Sequence, residues 1–259
     1  MTTDFSWLSR TKLLIGEEAL LRLAQAHVMV VGLGGVGSYA AEFIARSGVG
    51  RMTIIDGDVV DPTNRNRQLP ALATNHGESK AMIMADRLKA INPELELNVI
   101  REFINPAMVE QQLLQRPSYI IDAIDSITPK ITFIKLAYES GLRVVSSMGA
   151  GAKLDPTRLQ VVDISATYNC PFAQQVRKQL KRHYGIRKGI KVVFSPEDPI
   201  KESLMLTDGK NYKKSAYGTI SYLPAVFGAV AASVVIRDLM HPPKKKKKAG
   251  SCSSMDRRP

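Results

Sequence analysis

A glycine-rich turn between an apolar run and a helical segment constrains the fold of this chain most. The run from His27 to Val31 leads into Gly32-Leu33-Gly34-Gly35-Val36-Gly37, and Asp56 follows about twenty residues later. The glycines that let the backbone approach a phosphate are Gly32, Gly34, Gly35 and Gly37. A carboxylate about twenty residues after the glycine turn can accept hydrogen bonds from the hydroxyl groups of a ribose. The pattern predicts a nucleotide-binding βαβ unit, with a tight turn that binds nothing as the alternative.

Strands and helices alternate along the rest of the chain. Apolar runs predict strands at 27–31, 51–55, 96–100, 119–123, 143–148, 159–164 and 191–195. Helical periodicity and stop signals predict helices that include 40–45, 78–91, 106–115, 128–140, 172–184 and 219–236, with a loop up to 214. This order predicts an α/β fold: a doubly wound, mostly parallel, Rossmann-like sheet with helices on both faces and a C-terminal extension.

Charge and cysteine content limit the classes of protein. The formal net charge is +12, and half of it lies in residues 244–259, which hold seven Lys or Arg and one acid. We expect a basic disordered tail there and one domain over 1–243, with a nucleotide-binding core at about 26–150 and a substrate and dimer region at about 151–243. The positive body suits a polyanionic partner. Two cysteines cannot form a zinc site of four cysteines, and a cytoplasmic location fits best.

The loop after the second strand argues against a nicotinamide cofactor. A nicotinamide site needs one acid at this position. This loop instead starts with two acids, Asp56 and Asp58, and they are followed by polar and cationic residues that include Asn64, Arg67 and Gln68. Amide and guanidinium groups suit a triphosphate, and Lys80 adds a cation at the start of the next helix. A P-loop motif is absent from the sequence.

Two aspartates follow the fourth predicted strand. Asp122 and Asp125 lie in Asp122-Ala123-Ile124-Asp125-Ser126, at the edge of a parallel sheet where ligands bind. A carboxylate that faces a triphosphate is a natural Mg²⁺ ligand. We also expect one of the two to be the N-cap of the following helix.

In order and spacing these motifs resemble the adenylation domain of the ubiquitin-activating family, and within it the tRNA threonylcarbamoyladenosine dehydratase branch. The likeness covers about residues 5–240, and its most specific stretches are 122–130 and 149–156. The resemblance implies roles as follows: ribose binding by Asp56; phosphate binding by Asn64, Arg67, Gln68 and Lys80; further cofactor contacts by Asp58 and Asp122; Mg²⁺ binding by Asp125. It also implies that Arg10 reaches the phosphates of the neighbouring subunit in a homodimer, although an ordinary surface arginine is an equal alternative.

The same resemblance implies a reaction. ATP and Mg²⁺ would activate the carboxylate of threonylcarbamoyladenosine next to the tRNA anticodon, and an internal nucleophile would then close a ring with loss of water. Relatives that adenylate carrier proteins often have CxxC pairs and an acceptor cysteine, whereas Cys170 is the one candidate thiol in the body, and we expect it to be inert. Zinc is therefore not expected. A monovalent ion in the loop from Gly149 to Lys153 and a sulfur-relay partner stay open.

Three other functions remain as alternatives. The first is adenylation of a ubiquitin-like or sulfur-carrier protein, which would use the same ATP residues. The second is an NAD-dependent oxidoreductase, and the third is an RNA-binding module that leaves ATP intact.

A basic amphipathic helix is the sequence signal for RNA. Val176, Leu180 and Tyr184 share one face. The cations outside that face, which we assign to tRNA binding, are Arg177, Lys178, Lys181, Arg182, Arg187 and Lys188. Lys210, Tyr212, Lys213 and Lys214 would form a second patch. A solvated charged face is the simpler alternative.

The segment from Thr219 to Ile236 is nearly free of charge. Its small residues and Pro224 favour a helix buried in protein over a membrane span, although peripheral membrane association stays open. Its apolar surface is larger than one helix face packed against the sheet of the same chain would bury. We therefore expect the rest to be buried in a two-fold interface between two copies of the chain.

Overall fold

The computed structural model describes residues 5–206 and 215–241, and its centre is a seven-stranded sheet. The strands are β1 His27–Val31, β2 Arg51–Ile55, β3 Glu96–Ile100, β4 Tyr119–Asp122, β5 Val144–Ser147, β6 Gln160–Asp163 and β7 Lys191–Phe194. Their spatial order is β3-β2-β1-β4-β5-β7-β6. All neighbours are parallel except β6 and β7. The predicted doubly wound, mostly parallel sheet is confirmed.

Eight helices surround the sheet in the described ranges. They are α1 Ser9–Ile15, α2 Glu17–Ala24, α3 Gly37–Arg46, α4 Lys80–Ile91, α5 Pro106–Leu113, α6 Ile127–Glu139, α7 Pro171–Tyr184 and α8 Tyr222–Met240. A two-stranded antiparallel ribbon, β8 Leu204–Leu206 and β9 Ser215–Tyr217, precedes α8. The sequence predicts a loop up to 214, and this prediction was wrong at Leu204–Leu206, which form strand β8. The second lysine patch and the tail at 244–259 lie outside the described residues.

Alternate residues of β1 pack on opposite faces of the sheet. Val28 and Val30 pack in a cluster with α3, α4 and α8, whereas Met29 and Val31 pack with α5 and α6. All five residues of β1 are buried, as expected for a central parallel strand. Both faces are therefore covered by helices, and the carboxyl ends of β1, β2 and β4 meet at one edge.

Helix α8 packs within the molecule over much of its length. It contacts α2, α3, β4, β5 and β7. In residues 5–206 and 215–241 it is the one helix long and apolar enough to cross a membrane, and half of that segment is buried. It starts three residues later and ends four residues later than predicted, because Arg237 and Asp238 continue the helix as its polar end.

Candidate active site

The glycine turn closes tightly at the end of β1. Gly32 has a φ of 86°, and a Cβ there would lie 2.8 Å from the carbonyl oxygen of Ala123. A Cβ on Gly37 would lie only 1.7 Å from the carbonyl oxygen of Gly32. Helix α3 starts at Gly37, and its N-cap residue, Val36, supplies no side-chain hydrogen bond. The dipole and the first N–H groups of a helix N-terminus favour an anion at this position.

Asp56 links the end of β2 to this turn. Its Oδ2 accepts a hydrogen bond from the N–H of Leu33 at 2.6 Å, and its Oδ1 accepts one from the N–H of Asp58 at 2.8 Å. Burial raises the pKa of Asp56, while the N–H of Leu33 and the charge of Lys80 act in the opposite direction. The carboxylate is thus held beside the glycine turn, where the sequence predicts ribose binding.

Lys80 is the buried cation of the site. It is the first residue of α4 and is 4% exposed. The side-chain ammonium of Lys80 lies 3.2 Å from Oδ2 of Asp58, and the backbone N–H of Lys80 donates to the carbonyl of Asp58 at 3.1 Å. Asp58 therefore fixes Lys80 through both its side chain and its backbone.

The loop from Asp61 to Gln68 carries the second cation. Asn64 is buried, and its Oδ1 accepts from the N–H of Asp61 at 3.2 Å, so this side chain braces the loop. Arg67 donates to the carbonyl of Thr63 at 3.0 Å. Burial lowers the pKa of Arg67, while the negative charges of Asp125 and Asp61 act in the opposite direction. The fold thus brings Arg67 within electrostatic range of Asp125.

Gln68 presents an unsatisfied polar atom beside the turn. Its Oε1 is buried and has no hydrogen-bond partner within the described part of the chain. Its Nε2 would be 3.7 Å from a Cβ on Gly34. A buried amide oxygen without a partner costs free energy unless a ligand satisfies it. Together with the glycine turn and two cations, it makes a donor and acceptor set that fits a nucleotide.

The two aspartates after β4 have different surroundings. Asp122 is fully buried, with Oδ2 2.8 Å from the ammonium of Lys130 and 2.6 Å from Oγ of Ser146. Asp125 is exposed, and Ser126 Oγ lies 3.3 Å from its Oδ1. The N-cap of α6 is Ser126, so the expectation that one aspartate caps this helix was wrong.

The metal and cofactor roles of these aspartates stay predictions. Because the carboxylate of Asp122 is used inside the protein, its contacts favour an indirect role. Among the described residues there is no cluster of three or more His, Cys, Asp or Glu that could hold a metal ion. One carboxylate together with substrate phosphates is the arrangement that Mg²⁺ commonly uses, and Asp125 fits it.

Arg10 does not join the site within one chain. It is exposed on α1, and no hydrogen bond or ion pair ties it to the residues above in the part of the chain that the structure describes. Leu13 and Leu14 on the same helix are 88% and 85% exposed. The predicted role of Arg10 therefore needs a second copy of the chain.

The basic residues of α7 line a separate cavity of about 400 Å³. Its walls are Ser165, Gln174, Arg177, Lys178, Lys181 and Arg187. Of the six cations predicted to bind tRNA, only Arg182 and Lys188 lie outside this lining. Arg177 donates to Oγ1 of Thr167 at 2.6 Å, which anchors one wall. Tyr184 is 42% exposed, so the prediction that it shares the apolar face of α7 with Val176 and Leu180 was wrong. Cys170, which precedes the first residue of α7, is buried, with 4% of its surface exposed.

Lys130 is the residue that sequence reasoning missed. It has no exposed surface, and its ammonium lies 2.8 Å from Oδ2 of Asp122 at the end of β4. A signal was available, because Lys130 shares its helical face with the buried residues Phe133, Ile134 and Ala137 at i, i+3, i+4 and i+7.

A comparison with protein families identifies the chain. The sequence model of the ThiF family matches residues 8–257. The chain belongs to the ThiF family. It is 39% identical over 246 residues to the tRNA threonylcarbamoyladenosine dehydratase of Escherichia coli (strain K12), covering 89% of this chain and 92% of that protein. It is 41% identical over 239 residues to the protein of that name from Bacillus subtilis (strain 168), covering 90% and 94%.

Solved structures agree with this ThiF assignment. The crystal structure of the Escherichia coli tRNA N6-threonylcarbamoyladenosine dehydratase in complex with ATP superposes with a TM-score of 0.84 at 39% identity. The match covers 93% of this chain and 97% of that one. The resemblance found in the sequence, including its branch, is confirmed.

Proposed function

We propose that this ThiF-family protein is an enzyme that uses ATP to dehydrate N6-threonylcarbamoyladenosine next to the tRNA anticodon, through an acyl-adenylate. The single observation that carries the proposal is the meeting of the glycine turn, Arg67, Lys80 and Asp125 at one edge of the sheet. The names of the two bacterial relatives support the substrate.

The reaction divides into two displacements. A carboxylate oxygen of the threonyl group attacks the α-phosphorus of ATP, and pyrophosphate leaves with the bond electrons. An internal nucleophile of the same side chain then attacks the activated acyl carbon, AMP leaves, and a proton passes to solvent. The nucleoside loses one water in total, and the cleavage of ATP drives that loss.

This chain contributes position and charge to both steps. The turn at Gly32–Gly37 receives phosphate through its N–H groups, and Asp56 binds the ribose. Arg67 and Lys80 stabilise the negative charge that grows on the leaving pyrophosphate. A buried Cys170 fits a route without a covalent protein intermediate.

Asp125 would hold Mg²⁺ together with phosphate oxygens of the substrate. The metal supplies charge neutralisation at those phosphates when bound. The exposed carboxylate and its electrostatic coupling to Arg67 support this role.

We assign tRNA binding to the basic cavity on α7. For the second subunit we propose the α1 surface in place of the interface predicted at 219–236, because α8 packs against α2, α3, β4, β5 and β7 of its own chain. Charged walls suit phosphate groups, and the exposed side chains of Leu13 and Leu14 suit burial against another copy. Such a dimer would also carry Arg10 toward the ATP of its partner. The location that fits this substrate is the cytoplasm. A sulfur-relay partner gains no support from the described residues.

The second candidate is adenylation of a carrier protein, which would need the same ATP residues. ATP–pyrophosphate exchange separates the two. We expect exchange when the protein meets tRNA that contains threonylcarbamoyladenosine, and none with unmodified tRNA. Exchange that depends instead on a protein ending in Gly-Gly would overturn the proposal.

A further inference from the structure

Lys130 is enclosed completely by protein. Its ammonium lies 2.8 Å from Oδ2 of Asp122 and donates to the carbonyl of Ile124 at 3.0 Å. The ring of Phe172 lies on a further side, with its centroid 5.7 Å from the ammonium. Neither Lys130 nor Asp122 has exposed surface, so no contact with substrate is open to this lysine.

These contacts hold the chain on both sides of Asp125. On one side, the ammonium of Lys130 bonds the carbonyl of Ile124. On the other, the N–H of Lys130 donates to the carbonyl of Ser126 at 3.2 Å. Lys130 therefore donates to the carbonyl groups of the two residues that flank Asp125, Ile124 and Ser126.

The buried aspartate completes the same network. Oδ1 of Asp122 accepts from the N–H of Ile124 at 3.0 Å, and its Oδ2 accepts from Oγ of Ser146 at 2.6 Å. The N–H of Ala123 donates to the carbonyl of Val31 at 2.9 Å, which ties the loop to β1 and the glycine turn. The backbone from Asp122 to Ser126 is thus fixed relative to the nucleotide site.

A buried ion pair by itself adds little to the free energy of unfolding. The cost of removing two charges from water offsets most or all of their attraction, and well-packed apolar residues often do better. Burial accordingly lowers the pKa of Lys130, with Asp122 acting in the opposite direction. A geometric role explains why a buried ion pair lies within electrostatic range of Asp125.

We infer that Lys130, paired with Asp122, is a positioning residue that sets the place of the Asp125 carboxylate for metal binding. This inference rests on the metal role of Asp125 in the proposed function. Supporting groups of this kind change metal affinity by about tenfold to a hundredfold when they are removed.

The test separates geometry from folding. Lys130→Met alone leaves the Asp122 carboxylate buried and unpaired, so we expect that variant to unfold at a lower temperature. Asp122→Asn with Lys130→Met removes both charges and keeps the volume and the bond from Ile124 N–H. The double variant therefore lacks the bond from Lys130 to the Ile124 carbonyl without leaving an unpaired buried charge. Lys135→Met is the matched control, since Lys135 lies on the same helix and pairs with Glu139 at 2.8 Å.

Two quantities are measured: the unfolding temperature, and the binding of Mn²⁺ by electron paramagnetic resonance in the presence of a non-hydrolysable ATP analogue. We expect the double variant to unfold close to the native temperature and to bind Mn²⁺ about tenfold or more weakly, while Lys135→Met matches the native protein. A double variant with native unfolding and native Mn²⁺ affinity would overturn the inference.

Asp125→Asn distinguishes that failure from a failure of the proposed function. If Asp125→Asn weakens Mn²⁺ binding and the double variant does not, Asp125 binds metal without help from Lys130, and only this inference is wrong. If Asp125→Asn also retains native Mn²⁺ affinity, the metal role itself is wrong, and the inference falls with it.

Discussion

The ammonium of Lys80 lies 3.2 Å from the carboxylate of Asp58, although Lys80 is only 4% exposed. The side chain is therefore held in place before any nucleotide arrives. Lys80→Ala should weaken ATP binding by about tenfold to a hundredfold, because a charge-assisted hydrogen bond contributes about 1.5–3 kcal/mol. Calorimetric titration with ATP measures this. Lys89→Ala, at the exposed end of the same helix, should bind ATP normally; an equal loss there would remove the specific role of Lys80.

Two glycines of the turn should respond differently to alanine. A Cβ on Gly37 would lie 1.7 Å from the Gly32 carbonyl oxygen, so Gly37→Ala should lower the free energy of unfolding by about 1–3 kcal/mol or more. The nearest atom to a Cβ on Gly34 is 3.7 Å away, which is ordinary contact. Gly34→Ala should fold normally but bind ATP more weakly, because the methyl group occupies space beside the phosphates. Urea unfolding and ATP titration check both, and normal ATP binding by Gly34→Ala would place the phosphates elsewhere.

Charge reversal on α7 tests the tRNA surface. Lys181→Glu with Arg182→Glu should weaken tRNA binding and flatten its dependence on salt, since fewer counterions are released, while ATP affinity stays unchanged. Lys89→Glu with Arg101→Glu makes the same change of charge near β3, at the opposite edge of the sheet. Filter binding over a range of salt concentrations compares the two. Equal effects would mean that net charge, and not this helix, attracts tRNA.

Asp238 should make stability depend on pH. Burial raises its pKa, but hydrogen bonds from Lys191 at 2.7 Å and Tyr119 at 2.8 Å outweigh burial and hold the pKa below its ordinary value of 3.8. A lowered pKa means that the stabilisation is present above pH 3.8 and is lost as pH falls through the folded-state value. Asp238→Asn should therefore cost about 1–2 kcal/mol at pH 7 and progressively less in acid.

Urea unfolding between pH 7 and pH 3 measures that difference. The exposed Asp86→Asn is its control and should change little at any pH. A constant deficit for Asp238→Asn across the range would show that the effect is one of packing and not of charge.

The assembly can be tested by mixing two inactive proteins. Arg10→Ala and Asp125→Ala homodimers should both fail to cleave ATP. If Arg10 acts on the partner's site, a mixed dimer has one site with both native groups, and its rate should recover to at most about half of the native value. Mixed dimers that are confirmed by native mass spectrometry but stay inactive would confine Arg10 to its own chain or to no role.

The sheet was the most predictable part of the molecule. The strands β1, β2 and β3 lie at the predicted residues. β1 and β2 are largely apolar runs that end at Gly32 and Asp56 and are buried in the sheet, whereas β3 is an edge strand that alternates polar and apolar residues at its start. The three-residue strands β8 and β9 are too short to carry a period and were missed. Tyr184 fits the helical spacing of α7, yet its position at the last turn leaves it in solvent.

The sequence predicts which residues lie in the site better than it predicts which groups those residues contact. Spacing along the chain indicates that Asp122 and Asp125 reach the same sheet edge, since both follow β4. It does not indicate that one is buried against a lysine and the other exposed, because that division depends on Ser146 from β5 and Phe172 from α7, which are distant in sequence. Likewise, the orphaned oxygen of Gln68 appears only when the loop is folded against the glycine turn.

The central claim is that the site activates a carboxylate on tRNA. Its most direct measurement is mass spectrometry of nucleosides from tRNA that contains threonylcarbamoyladenosine, after incubation with the protein, ATP and Mg²⁺. The account predicts that this nucleoside loses the mass of one water only when ATP is present, with one AMP and one pyrophosphate formed per conversion, and that Lys80→Ala greatly slows the change. An unchanged nucleoside mass while the native protein binds both ATP and tRNA would contradict it.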